Sequence, residues 1–263
     1  MKTVRGLITT LGTVALAITL VAAGLGVCLL PSLTQGLAHS FAREDLSPFS
    51  REQLVRVADA TRDFSFASHD ETALYKVIYD VNAEHQQALK DAGTSIPTDC
   101  PQLDKVTDQS DLTQLRSAFA GASESYCYSA DSVSHLDDCN AVLAEAMPTL
   151  VGSAIVSVVG LVALGVMGGR RSRHSMGAML LVAGMTVVVC FVALGLWAVV
   201  DFNGLFTAFH KLFFSQGNWQ FPYDSLLICA LPTEFWMSMG AIWLGTSTLA
   251  ALVCIVVGKQ LRR

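Results

Sequence analysis

Two imidazoles in this chain stand where proton chemistry could be done. His210 lies in Phe209-His210-Lys211-Leu212-Phe213-Phe214, and six of the 13 Phe fall between residues 202 and 221. Phe206, His210, Phe213 and Phe214 are spaced i, i+4, i+7 and i+8, so a helix puts this imidazole on an apolar face. An ionisable group ringed by aromatics at a lipid boundary is costly without a partner and marks a candidate functional site. The alternative is an interfacial His whose polar tip reaches water. His135 has Asp131 four residues before it and Asp138 three after, which on a helix sets at least one carboxylate beside the ring. Such a carboxylate can fix the tautomer and stabilise the imidazolium, as general acid-base chemistry requires. The same spacing is also common on plain helix surfaces.

The residues around these two His are chemically suited to a polar, lipid-facing substrate. Asp201 and Asn203 precede His210 as support, although Asp201 and Glu234 also read as helix-start acids that complement the dipole. Lys211, Asn218 and Trp219 could hold a headgroup, with Phe209, Phe213 and Phe214 as apolar contacts, while a Trp here also serves as a membrane anchor. His174 sits among Arg, and His39, His69 and His85 occupy polar sequence and read as solvated side chains. No Gly-rich phosphate loop, paired metal-ligand His spacing or exposed nucleophilic Cys motif is present, so no cofactor, metal or nucleic acid is expected.

The elements that must position these groups are membrane helices. Hydrophobic residues make up 52% of the chain and charged ones 15%, against roughly 25% charged in a soluble domain. Four runs meet the requirement of about 20 apolar residues to cross a bilayer, at 7–30, 147–167, 177–200 and 235–257. Each can satisfy its backbone there only as a helix. Lys2, Arg5, Arg170, Arg171, Arg173, Lys259, Arg262 and Arg263 flank them on one side with no acid, giving +8 there against −13 on the other. Retention of such basic flanks in the cytoplasm places both termini there, with a basic loop at 168–176 and a tail at 258–263. A basic start followed by an apolar run also resembles a secretory signal, but 24 residues is long for one, and an uncleaved anchor is expected.

The expected fold is all-α: a polytopic membrane protein with four transmembrane helices and a helical extracytoplasmic domain at 31–146 between spans 1 and 2. Ser50 with Gln53 is a capping-box signature opening a helix with Leu54, Val57, Ala58 and Thr61 on one face. Asp70 caps a second helix that stops at Gly93, and Ser110 begins a short third ending before Gly121. Residues 94–110 read as an irregular insertion, and a further helix starts near Asp131 or Ser132 and leads to the second span, with Pro148 at the junction. The second extracytoplasmic segment, 201–234, is too apolar for a solvated loop. It predicts an interfacial helix over 201–215, a turn at Gln216-Gly217-Asn218 and a stretch re-entering at Pro232. Cys100, Cys127, Cys139 and Cys229 fall on the oxidising side and allow three connectivities; Cys100 with Cys127 is favoured, because they bracket a polar, Pro-containing stretch.

Two blocks carry a family resemblance. Asp201-Phe202-Asn203, Phe206, Phe209 to Phe214, Trp219-Gln220-Phe221 and Leu231-Pro232-Thr233-Glu234-Phe235-Trp236 form one. His135-Leu136-Asp137-Asp138-Cys139 is similar to a second signature: His, Met or a similar residue, any residue, then Asp-Val. In order and layout the chain resembles the lipoprotein intramolecular transacylases, four-span bacterial membrane enzymes. It departs from them in Leu136 for Met, Cys139 for Val and Asn140 where Lys is usual.

The resemblance implies transfer of the sn-2 acyl chain of a diacylglyceryl-Cys lipoprotein to its own N-terminal amine, in the bacterial cytoplasmic membrane. His210 and His135 would share base and acid roles, with Asp138 orienting His135. The lipid bilayer and diacylated lipoproteins are the partners so implied. A different class of function is a non-enzymatic sensor or assembly factor using the 19 acids of the 31–146 segment. A third is a metal bridging the two His with Asp138 or Glu234. The transacylase reading requires both imidazoles to reach one cavity.

Overall fold

In the computed structural model, the described residues form ten helices and no strand, and 77% of them are helical. Those residues are 2–104, 106–107, 109–214 and 216–263. The chain folds into two compact units, one of residues 1–28, 144–207 and 239–263 and one of residues 29–143 and 208–238.

The first unit is built from the four long apolar helices, α1 (Lys2–Cys28), α6 (Ala130–Met167), α7 (Gly169–Val200) and α10 (Thr233–Arg262). Leu16, Leu20, Leu164, Met179, Ala183, Val187, Phe191 and Ala251 are buried between them. Val158, Val162, Val166, Val189 and Val199 point outward and are exposed, the inverse of a soluble bundle and the arrangement that lipid tails accept. Among the described residues, polar contacts between these helices include Trp243 Nε1–H donating to the Val21 carbonyl at 3.0 Å, the Thr19 and Ser157 hydroxyls meeting at 3.1 Å, and Cys28 Sγ against the Met239 carbonyl at 3.6 Å. Pro148 does not separate two helices. It lies inside the continuous α6, so the helix that begins in one unit ends in the other.

The second unit contains α2 (Pro31–Phe41), α3 (Arg51–Phe66), α4 (Glu71–Asp91), α5 (Leu112–Phe119) and α9 (Leu226–Ala230). Pro31 at the first helical position starts α2, where its missing N–H is no loss. Ser50 and Gln53 form the reciprocal capping box of α3, and Leu54, Val57, Ala58 and Thr61 are all buried. Asp70 accepts the Ala73 N–H to open α4, which gives way to Gly93 at φ +68°. The cap of α5 is Asp111 rather than Ser110, because Asp111 and Gln114 close a second capping box. Asn82, fully buried, donates to the carbonyls of Ile78 and Tyr126, both at 2.8 Å, which ties the segment before α6 onto α4.

The segment after α7 opens as expected with a helix, α8, over Phe202–Phe213; residue 215, near the expected end, lies outside the described residues. The departure from expectation comes later in the segment. Before Pro232 comes α9, capped by Ser225, whose hydroxyl accepts the Ile228 N–H; five residues are too few to show periodicity in sequence. The backbone then enters α10 at Thr233, with Glu234 in its first turn.

Candidate functional site

His135 sits in the first turns of α6, ahead of the apolar stretch 147–167, and His210 in the last turn of α8. Both lie in the second unit, and each is only 8% exposed. Their rings are 5.8 Å apart between centroids and 30° from parallel. Phe214 packs edge-on to His135 at 4.7 Å and also reaches His210 at 5.5 Å. Trp219 lies 4.9 Å from the His210 ring and Phe221 5.8 Å from that of His135. Helical spacing on α8 brings Phe214 under His210, while Gly217 at φ +81° turns the chain so that Trp219 and Phe221 close the cage.

Apolar surroundings disfavour imidazolium. Burial lowers the His135 pKa to about 4, the neighbouring His210 charge adds to this, and Asp138 acts in the opposite direction. In the unfolded chain the same side chain takes up its proton near pH 6.5. Between pH 6.5 and about 4 the unfolded state therefore binds more protons, and stability falls as pH drops through that window. We expect the thermal midpoint of the detergent-solubilised protein to decline across it, and His135→Asn to remove part of that slope; an identical slope would assign it to other groups.

Asp138 does not take the place expected of it. Its Oδ2 accepts from Asn218 Nδ2 at 3.0 Å, and Asn218 Nδ2 also donates to Ser134 Oγ at 3.1 Å. The carboxylate acts on His135 through charge, and no hydrogen bond joins it to the ring among the described residues. The neighbour of the His135 ring nitrogen Nε2 is instead Cys139 Sγ at 3.7 Å, one helical turn on. Burial and Asp138 push the Cys139 thiol up to about 12, so it stays protonated at neutral pH. Cys139 was legible as the i+4 neighbour of His135; the contact of Ser134 was not, and Phe221 was marked only by the signature, because both contacts depend on the 216–221 turn.

Other expected residues are distributed unevenly. Phe209 and Phe213 touch each other at 4.8 Å but remain 46% and 44% exposed, and Lys211 is exposed. Asp201 accepts the Gly204 N–H at 2.8 Å, which makes it the cap of α8 rather than a partner of a histidine; Asn203 is an exposed residue of the same first turn. Cys100 and Cys127 are free, buried thiols, the latter directed at the Ala122 and Ser123 carbonyls, so the expected bridge between them is not formed. His85 is not simply solvated: it lies between Phe49 and Tyr126, and burial lowers its pKa. His69 stacks on Phe64 at 4.7 Å and faces Asp137 at 3.5 Å. Among the described residues no three His, Cys, Asp or Glu side chains converge to hold a metal ion.

Four helices long and apolar enough to span a bilayer define an integral membrane protein, and two buried His meeting in one aromatic cage give it a candidate active site. The family model of the lipoprotein intramolecular transacylase Lit matches residues 70–236, more than half of the chain and inclusive of both His. The chain belongs to the lipoprotein intramolecular transacylase family, and is thus an acyltransferase. Its fold is that of the in meso structure of the membrane integral transacylase Lit from Bacillus cereus, with TM-score 0.67 and 17% identity over 99% of this chain and 97% of that one. Two structures of that Bacillus cereus protein with a single histidine replaced, by arginine or by alanine, match with TM-score 0.61 and 16% identity over 99% of this chain. They cover 92% and 94% of those chains. No curated protein matches the chain by sequence.

Proposed function

We propose that the protein moves the sn-2 acyl chain of a diacylglyceryl-modified N-terminal Cys to that residue's own α-amine, leaving a lyso-form lipoprotein. In this reading the basic flanks keep both termini in the cytoplasm. Segments 31–146 and 201–234 then face the outer side of a bacterial cytoplasmic membrane. The observation that supports the reading most is the approach of His135 and His210 to 5.8 Å inside an aromatic cage.

The amine nitrogen bonds to the ester carbonyl carbon, the bond from that carbon to the sn-2 oxygen breaks, the amine loses a proton and the oxygen gains one. His135, kept neutral by burial, has a lone pair free to take the amine proton, a transfer that becomes favourable as the new C–N bond acidifies the nitrogen. His210, beside it, supplies the proton to the departing oxygen, and return of a proton between the rings resets the pair. Phe209 and Phe213, exposed beside His210, provide an apolar surface for acyl chains. Phe214, Trp219 and Phe221 exclude water that would otherwise hydrolyse the ester. Because amine and ester belong to one molecule, positioning can supply effective molarities of roughly 10⁵ M or more, beyond the proton transfers.

The test is a reporter lipoprotein co-expressed with the protein in a host lacking such an activity. Transfer leaves the mass unchanged, so the N-terminal peptide is read by fragmentation. An N-acyl chain with a free sn-2 hydroxyl is the expected result; persistence of the free amine on an intact diacylglyceryl group would overturn the reading.

A further inference from the structure

We infer that Asn218 is the residue that holds the substrate's amine, accepting one of its N–H bonds at Oδ1 while His135 Nδ1 faces the other. This rests on the transacylation reading and adds a residue to it.

The orientation of the Asn218 amide is set by its neighbours. A carboxylate can only accept, so contact with Asp138 Oδ2 at 3.0 Å identifies that end of the amide as the nitrogen. The second contact of the same nitrogen, Ser134 Oγ at 3.1 Å, employs its other N–H. Both donors are spent on residues of α6 that flank His135 in sequence, which fixes the plane of the amide against the helix segment that carries the imidazole. The carbonyl oxygen is left over: Oδ1 is shielded from solvent and has no partner among the described residues.

A second atom, on the α6 residue that lies between Ser134 and Asp138 in sequence, is in the same condition. His135 Nδ1 is buried and without a partner among the described residues, whereas Nε2 lies against Cys139 Sγ. Buried polar atoms are nearly always hydrogen-bonded, and the exceptions ask for an explanation. Two such atoms, one on Asn218 and one on the α6 segment that Asn218 grips through Ser134 and Asp138, ask for a ligand that brings two donors. A primary amine carries two N–H bonds and one lone pair. Held by Asn218 Oδ1 and His135 Nδ1, it has the lone pair free for the ester carbonyl, and one of its protons already directed at the base. Water brings the same two donors without a tether and a hydroxyl brings only one, so the site selects the amine by its two N–H bonds together with the tether to the ester.

Asn218→Ala and Asn218→Gln test this with a diacylglyceryl-Cys peptide and the full-length protein in detergent-lipid micelles. The N-acylated isomer and the deacylated hydrolysis product are quantified separately. Loss of amine positioning is expected to lower N-acylation by about 10²-fold. The hydrolysed fraction of the ester consumed should rise, because His135 and His210 still act on water. Ser134→Ala, which loosens the amide without removing its oxygen, should slow the reaction but keep the partition of the unaltered protein. An unchanged rate and partition in both Asn218 variants overturns the inference and leaves transacylation standing. Loss of all ester consumption with native-like thermal unfolding also overturns it, by giving Asn218 a part in ester cleavage itself. Absence of N-acyl product from the unaltered protein overturns both readings.

Discussion

Replacing His135 by Ala is expected to lower the rate of N-acyl product formation by about 10²- to 10⁴-fold, the usual contribution of one positioned acid or base. His210→Ala should cost a similar factor. The informative measurement is the double variant. If the two imidazoles form one proton-transfer unit at 5.8 Å, removing the second costs little once the first is gone, because groups that act together are strongly non-additive. Multiplicative losses would instead place them in separate steps. The residual rate has its own meaning: it measures what tethering amine to ester supplies without proton transfer. Full activity in either single variant would remove that residue from the mechanism. Substrate binding separates the roles further, since a residue used only in the transition state lowers kcat with little change in KM.

The spans and the helices of residues 50–91 could be read from the chain because their causes are local. A run of about 20 apolar residues must be helical in lipid, and Ser50 and Asp70 announce their helices by caps that the structure forms. The shift from Ser110 to Asp111 is a contest between two adjacent capping residues, decided by Gln114 at the third helical position of Asp111. The pairing of His135 with His210 was of another kind. They lie far apart in the chain, and only the two sequence signatures tied them together. Asp138 misled because helical spacing shows who is near but not whom a carboxylate chooses. Asn218 brings two N–H donors that Asp138 and Ser134 share, a contact that depends on the Gly217 turn and has no sequence period. Helical spacing placed Phe214 under His210, and Trp219 and Phe221 were marked by the family signature, but that they close over the two rings depends on the loop and has no sequence period.

A large loss of stability is expected from a single methyl-sized change at Gly184. A Cβ there would lie 2.6 Å from the Ala251 carbonyl oxygen and 2.9 Å from Ile255 Cγ1. The first of these is backbone, which no rotamer change can move, so α7 and α10 would have to separate. Two turns toward the start of α7 the approach recurs, with a Cβ on Gly177 placed 2.6 Å from the Gly258 carbonyl oxygen. Membrane helices have no hydrophobic drive toward each other, so close backbone packing across small residues is a main source of their association. Overpacking typically costs about 1–3 kcal/mol, and Gly184→Ile should reach or exceed the upper end, because a branched side chain multiplies the contacts that must be relieved. Gly165 in α6 is the control: nothing lies within 4 Å of its Cβ position, so Gly165→Ala should gain about 0.5–1 kcal/mol from the lower flexibility of Ala in a helix. Thermal unfolding in a fixed detergent compares the variants directly. If Gly184→Ala and Gly165→Ala shift the midpoint in the same direction, the close approach of α7 to α10 does not hold the first unit together.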